Sequence, residues 1–229
     1  MEPLLAIIPA RGGSKGVPRK NLRVVGDRSL LVRAIDSARG VPGIGTVLVS
    51  TDDAEIADAA RAAGASVPFL RPAALAGDVA PTLPVVRHAL DWARSNGMRP
   101  PAIVLLEPTS PFRTTALVAA AVERFAAGDC RSVVSVVPLE RKPENIFVAG
   151  RHLERYIRDP VRRHARRQDM ADLRRIDSAV YVCAADAVDA GELMAEPIGY
   201  VEGDWLSAVN IDTPLDLDFA RFLSREREI

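Results

Sequence analysis

Leu4-Leu5-Ala6-Ile7-Ile8-Pro9-Ala10-Arg11-Gly12-Gly13-Ser14-Lys15-Gly16-Val17-Pro18-Arg19-Lys20-Asn21 joins a short apolar run to a loop dense in glycine and positive charge. The run, apolar at consecutive positions, has the pattern of a strand buried on both faces, as strands of parallel sheets are. The loop behind it has the make-up of a polyphosphate site. Gly12, Gly13 and Gly16 let backbone N–H groups approach an anion, and Arg11, Lys15, Arg19 and Lys20 place four cations within ten residues. Of thirty basic residues only Lys15, Lys20 and Lys142 are lysines, and two of them fall here. An ammonium contacts phosphate as a compact point charge, without the planar guanidinium fork. The P-loop pattern Gly-x-x-x-x-Gly-Lys-Ser/Thr does not fit, because Lys15 precedes Gly16, and Gly-x-Gly-x-x-Gly is absent. The plainer alternative is a solvated basic turn between a strand and a helix.

Outward from this loop, apolar runs alternate with helical patterns. Residues 4–8, 46–50, 102–106, 132–137 and 179–183 read as strands. Leu30, Leu31, Ala34, Ile35 and Ala38 recur at helical spacing, as do Ile56, Ala59, Ala60 and Ala63 before Gly64, and Leu83, Val86, Leu90 and Ala93 before Gly97. Residues 111–127 and 214–225 continue the series, each opening near a Thr or Pro suited to a helix start. The expected fold is α/β, a mostly parallel sheet with helices on both faces and ligands at the carboxyl ends of the strands. Residues 140–175 break the pattern, being polar and arginine-dense, with Arg162, Arg163, Arg166 and Arg167 near His152 and His164. Such a run is either a solvated face or a lid or arm. Because a strand pattern returns at Ala179, it reads as an insertion within one domain spanning residues 1–229.

Composition bounds the partners. Hydrophobic residues make up 48% and charged residues 26%, with formal net charge zero, so no global basic field points to nucleic acid. The first residues form neither a signal peptide nor a membrane span, which leads us to expect a cytoplasmic protein without membrane attachment. Cys130 and Cys183 stand far apart without a CxxC partner and read as buried thiols, not as a disulfide or zinc site.

Each remaining polar cluster follows an expected strand. Ser50-Thr51-Asp52-Asp53, Glu107-Pro108-Thr109-Ser110-Pro111 and Val209-Asn210-Ile211-Asp212-Thr213-Pro214 would meet the basic loop at the crevice of an open sheet. Carboxylates facing lysines suit a magnesium nucleotide, since the hard cation prefers carboxylate and phosphate oxygens. A helix-capping role is the competing reading for Asp52, Asp53 and Asp212.

These segments, with Pro108-Thr109-Ser110-Pro111-Phe112-Arg113 and Arg166-Arg167-Gln168-Asp169, resemble the acylneuraminate cytidylyltransferases, or CMP-sialic acid synthetases, in family order along nearly the whole chain. The resemblance implies a nucleotide-diphospho-sugar transferase-like fold and a homodimer with residues 140–175 as its arm. It also implies a Mg2+-dependent transfer of CMP from CTP to an acidic small-molecule acceptor, with release of pyrophosphate. It places Ala10, Arg11, Gly12, Gly13, Ser14, Lys20, Asn21, Arg71, Ala80 and Thr82 on the nucleotide, with Lys15 beside the leaving group. It places Glu107, Thr109, Ser110, Lys142, Arg167, Gln168 and Tyr181 on the acceptor side, and Asp212 with Asn210 at the metal. Arg11, Lys15, Lys20 and Asp212 are then the catalytic set.

Three departures stand on the acceptor and metal side. The family's usual Gln is Glu107, its Asn-Gly-Ala reads Asp177-Ser178-Ala179, and its Asp-Ile-Asp reads Asn210-Ile211-Asp212. The resemblance makes a sialic-type nonulosonic acid the first acceptor to expect, and the departures make a small phosphonate or related acid the second. A non-catalytic nucleotide-binding protein is the alternative of another class.

Overall fold

The computed structural model describes residues 2–77, 81–139, 146–156 and 172–227. In chain order its elements are β1 (Leu4–Pro9), β2 (Val24–Val25), β3 (Arg28–Ser29), α1 (Leu30–Ala38), β4 (Ile44–Ser50), α2 (Ala54–Ala62), α3 (Thr82–Ser95), β5 (Ala102–Leu105), α4 (Thr115–Ala126), β6 (Ser132–Pro138), β7 (Phe147–Ala149), β8 (Leu153–Arg155), β9 (Arg174–Ala184), α5 (Ala185–Ala190), β10 (Ile198–Glu202) and α6 (Pro214–Arg227). Six strands form one sheet in the order β10-β6-β9-β5-β1-β4. β1 pairs in parallel with β4 and β5, and β10 with β6, whereas β9 is antiparallel to both its neighbours.

The alternation of side chains along a strand explains the layers. Leu4, Ala6 and Ile8 of β1 join one buried cluster with residues of α1, α2 and α4, while Leu5 and Ile7 join another with α3 and α5. Helix starts are capped where the sequence supplies a short oxygen side chain: Ser29 accepts from the Val32 N–H at 3.3 Å, Asp53 from Ile56 at 3.0 Å and Thr114 from Leu117 at 3.1 Å. After α2 and α3 the chain turns at Gly64 and Gly97, with φ of +84° and +83°, values a side chain resists.

A third cluster lies under the ends of the strands. Val17 from the glycine loop, Phe112, Val209 and Ile211 pack with Val25, Leu30 and the α6 residues Leu217, Ala220 and Leu223. Three polar loops are thus fastened to one apolar floor, which lets them keep a shape without regular hydrogen bonding.

The structure differs from the sequence reading in several places. The segment carrying Asn210 and Asp212 is not the end of a strand, since β10 stops at Glu202. It is irregular chain held by the buried Ile211, whose N–H donates to the Thr109 carbonyl at 2.9 Å. β10, which precedes it, escapes periodicity because it is an edge strand with Ile198 and Tyr200 exposed. α5 has six residues, too few for a helical repeat. Within the insertion, β7 and β8 form an antiparallel hairpin, and the Leu139 N–H donates to the Leu173 carbonyl at 3.0 Å where its two ends meet. Lys142, Arg167 and Gln168 lie outside the described residues, as does Ala80. Cys130 and Cys183 are free, Cys130 only half-buried, and burial pushes the Cys183 thiol up to about 12.

Candidate active site

The carboxyl edge of the sheet carries a cavity of about 330 Å³. Its wall brings together Arg11, Gly13, Ser14, Lys20, Asn21, Arg71, Thr82, Glu107, Thr109, Asn210 and Asp212 from opposite ends of the chain. Pro9, Val85 and Pro108 complete the lining. Val85 is on the first turn of α3 and was not among the positions the helical pattern picked out.

The glycine loop is shaped by contacts on both sides. A Cβ at Gly16 would lie 2.2 Å from the Asp212 carbonyl oxygen, so only glycine lets the loop close against the late segment. A Cβ at Gly12 would strike the Asp53 side chain at 2.7 Å, and the Gly12 N–H donates to Asp52 Oδ1 at 2.9 Å. Asp52 thereby orients the loop, while Asp53 caps α2 and pairs with Arg19 at 2.6 Å. The Asn21 amide, buried, donates to the Arg11 carbonyl at 2.9 Å and closes the loop from inside. Lys20 reaches across the cavity mouth, donating to the Ile211 carbonyl at 2.9 Å and to Asp212 Oδ1 at 3.1 Å.

Asp212 does not cap α6. Thr213 and Asp216 do so reciprocally: the Thr213 N–H donates to Asp216 Oδ2 at 2.7 Å and the Asp216 N–H to Thr213 Oγ1 at 3.3 Å. The Asp212 carboxylate is left facing Lys20.

Opposite stands Glu107, half-buried. Burial raises its carboxyl above the usual range and nearby Asp212 adds to this, while Arg113 and Lys20 pull it back. Arg113, buried at the end of the same loop, donates to the Glu107 carbonyl and, at 2.8 Å, to the Ala179 carbonyl. Arg71 is buried as well and donates to Ser50 Oγ at 3.1 Å and to the Ser50 carbonyl, while desolvation lowers its pKa.

Other residues expected at the site stand elsewhere. Ala10 is core, its N–H committed to the Ser50 carbonyl at 2.9 Å. Lys15 is exposed on the loop and does not line the cavity. Ser110 is buried and donates to the Ser178 carbonyl at 3.3 Å, and the Tyr181 hydroxyl donates to Ser178 Oγ at 3.3 Å. Both belong to the support behind Glu107.

The part Asp177 plays in that support was not legible in the sequence, which marked it only as a departure from the family pattern. Buried Asp177 accepts from Ser135 Oγ, from Ser207 Oγ at 2.7 Å and from the Ala179 N–H at 2.9 Å. It ties β6, β9 and the segment leading to Asn210 together at a bulge where β9 slips register against Val134 and Val136. Ser178 stands there at φ 66°, in the left-handed region. The signal available was the acidic residue in a strand that otherwise reads as core.

For a metal, the oxygen donors are Asp212, Asn210 and Glu107. Asn210 Oδ1 and Thr109 Oγ1 are buried without a hydrogen-bond partner, and both residues line the cavity. Buried acceptors left open in this way fit a bound cation or ligand. Among the described residues no group of three or more His, Cys, Asp and Glu is placed to hold a metal. A partial oxygen shell suits Mg2+, which keeps waters and binds through one or two carboxylates plus substrate phosphates.

A mostly parallel α/β sheet with a cationic glycine loop facing carboxylates at its carboxyl edge defines an enzyme that works on nucleotide phosphates. The class is nucleotidyltransferase. The chain belongs to the cytidylyltransferase family, which matches residues 5–193, and it uses CTP. It is 31% identical over 218 residues to the CMP-N,N'-diacetyllegionaminic acid synthase of Legionella pneumophila, covering 93% of this chain and 92% of that one. It is 29% identical over 220 residues to a pseudaminic acid cytidylyltransferase of Campylobacter jejuni, covering 96% and 95%. Among solved structures, CMP:2-keto-3-deoxy-manno-octonic acid synthetase complexed with CTP shares the fold, with a TM-score of 0.72 at 16% identity over 99% of this chain and 100% of that one. Among the described residues, no helix is long and apolar enough to cross a membrane.

Proposed function

We propose that the protein transfers CMP from CTP to a sialic-type nonulosonic acid with release of pyrophosphate, using Mg2+, as a cytoplasmic homodimer. The observation that carries this reading is the meeting of Arg11, Ser14, Lys20 and Asn21 with Glu107, Asn210 and Asp212 around one cavity. The names of the relatives, which act on legionaminic and pseudaminic acids, support the acceptor class.

The chemistry asks for positioning and charge balance, and no covalent intermediate is needed. An acceptor hydroxyl oxygen attacks the α-phosphorus and gives up its proton to solvent, the new P–O bond forms in line, and the bond to the bridging oxygen of pyrophosphate breaks. Arg11 and Lys20 bring positive charge to the phosphates, and the glycine loop lets main-chain N–H groups come close. Thr82 and Val85 on α3, with Arg71, wall the side suited to the cytosine. Asp212 and Asn210 would hold Mg2+, which when bound neutralises phosphate charge and orients the phosphate chain. Glu107, ionised, can only accept hydrogen bonds and so favours an acceptor that presents a hydroxyl or amide donor.

The hairpin supports the dimer: Phe147, Val148 and Leu153 are 39%, 53% and 69% exposed, an apolar surface that a second subunit would cover. The test is pyrophosphate release from CTP and Mg2+ across N-acetylneuraminate, N,N'-diacetyllegionaminate, pseudaminate and a small phosphonate, with sedimentation of the active species. Turnover with a nonulosonic acid by a dimer is expected. Turnover with the phosphonate alone would move the acceptor, and an active monomer would remove the dimer.

A further inference from the structure

Glu107 reaches the nucleotide cavity from one irregular loop, and Asn210 and Asp212 reach it from another. Behind both loops lies one buried carboxylate, that of Asp177. Its two oxygens serve different loops. Oδ2 accepts from Ser207 Oγ at 2.7 Å, and Ser207, itself buried, stands three residues ahead of Asn210. The Leu206 carbonyl accepts from the Val209 N–H at 3.0 Å, so the turn that starts at this anchor delivers the chain directly to Asn210.

Oδ1 accepts from Ser135 Oγ and from the Ala179 N–H at 2.9 Å, and Ser135 Oγ accepts from the Val180 N–H at 2.8 Å. These bonds stand in for the ladder where β9 slips register against β6. The bond to Ser207 repairs no ladder; it leaves the sheet for the loop. Toward the other loop, the Ala179 carbonyl accepts from Arg113 Nε at 2.8 Å, and Arg113 also donates to the Glu107 carbonyl. Burial lowers the pKa of Arg113 to about 10, and Glu107 and Asp177 are the carboxylates that offset its charge. The backbone packs closely around the pair. A Cβ at Gly203 would lie 2.2 Å from Ser207 Oγ and 2.6 Å from Asp177 Oδ2, and the next residue, Ser178, is held at φ 66°. Strain of that kind persists only where the surroundings over-determine it.

On the CMP-transfer reading, on which this rests, we propose that Asp177 is a positioning residue. Through Ser207 its Oδ2 sets where Asn210 and Asp212 hold their oxygens toward Mg2+. Through Ala179 and Arg113 its Oδ1 sets where Glu107 stands toward the acceptor. One carboxylate thus fixes the spacing of two loops that no strand holds apart. Groups that orient metal ligands from behind are worth about 10–100-fold in metal affinity or activity. An amide of the same shape can take over the part: its carbonyl accepts the bonds at Oδ1, and its NH2 donates to Ser207 Oγ, whose hydroxyl already lies 2.8 Å from the Asp204 carbonyl. Ala can make none of these bonds.

The test compares Asp177→Asn, Asp177→Ala and Ser207→Ala with the parent, each well below its melting transition, by amide hydrogen exchange and by pyrophosphate release with the nonulosonic acid turned over best. In Ser207→Ala, exchange across residues 207–212 is expected to quicken about tenfold or more while β1 is unchanged. In the same variant the Mg2+ concentration for half-maximal rate is expected to rise about tenfold, and the acceptor KM to stay within about threefold of the parent. Asp177→Ala is expected to raise both constants about tenfold, and Asp177→Asn to keep both within about threefold. A carboxylate with only a structural role would lower the melting temperature and leave both constants where they are, and that result overturns the proposal. So does Asp177→Asn behaving like Asp177→Ala, or unchanged exchange across residues 207–212 in Ser207→Ala. Should Asp177→Ala fail to fold, Ser207→Ala and Asp177→Asn decide alone. A parent without CTP-dependent turnover would remove the transfer reading instead; quickened exchange in Ser207→Ala would then still support the hold of Asp177 on the loop, and unchanged exchange would overturn it.

Discussion

Lys20 separates chemistry from stability. Lys20→Met keeps most of the apolar stem and removes the ammonium. The folded protein loses the bond to the Ile211 carbonyl at 2.9 Å and the pair with Asp212 at 3.1 Å, whose side chain is 68% exposed. A pair with so exposed a partner contributes about 0–1 kcal/mol. The bond to the carbonyl contributes about 0.5–1.5 kcal/mol. Together they set a stability cost of about 0.5–2.5 kcal/mol, or a fall in melting temperature of about 1–10 °C for a chain of this size. The cost in rate is larger, because a cation placed in advance against charge developing on departing pyrophosphate is worth about 10²–10³ in kcat. The assay is steady-state pyrophosphate release at saturating Mg2+ and acceptor, with a melting curve on the same sample. We expect kcat/KM to fall at least about a hundredfold while cooperative melting persists. A variant within about threefold of the parent in kcat/KM would refute the role of Lys20 in transition-state stabilisation.

Three further outcomes follow from the same geometry. Burial raises the Glu107 carboxyl in the folded protein, so the folded state resists its ionisation; this cost is present above the folded pKa and relieved as pH falls through it. Glu107→Gln should therefore raise the urea midpoint at neutral pH, with the gain shrinking toward pH ~4; a gain independent of pH would sink this account. Asn210→Asp should lower the Mg2+ concentration needed for half-maximal rate, whereas Asp212→Ala should lose most activity with little change in melting, since Thr213 and Asp216 cap α6 without it; full Mg2+-dependent activity in Asp212→Ala would remove it from the site. Ser178 is held at φ 66°, so Ser178→Gly should be neutral or stabilise by up to about 1 kcal/mol while Ser178→Val destabilises by about 2 kcal/mol or more, read by chemical denaturation; a Val variant as stable as the parent would show that the backbone there is not constrained.

The sequence carried the layered α/β fold because buried parallel strands and capped helices both leave dense local patterns, seen in Leu4–Ile8 and in Ser29, Asp53 and Thr114. The glycine loop was legible for a related reason, since residues close together in sequence are close in space. The support behind Glu107 was not. Asp177 meets Ser135 and Ser207 across 42 and 30 residues, and Arg113 meets Ala179 across 66, separations at which local pattern holds no information. The irregular course of Val209–Asp212 was hidden too, because Val209 and Ile211 alternate with polar residues as a half-buried strand does while in fact anchoring a loop to the apolar floor. Asp212 does line the cavity, from a loop and not from a strand end.

β9 is the one strand of the main sheet that runs against the others, pairing Arg174 with Pro138, the last residue of β6. A parallel strand there would have to begin at the opposite edge, and its connection would travel the length of the sheet. Reversal puts the exit of β6 and the entry of β9 side by side at the carboxyl edge of the sheet, the edge that also carries the cavity. Sequence spliced between them starts and ends at that one place, whatever its length, and leaves the threading of the other strands untouched. The reversed strand thus makes an open port, through which sequence can be inserted while the strands that carry the glycine loop keep their order.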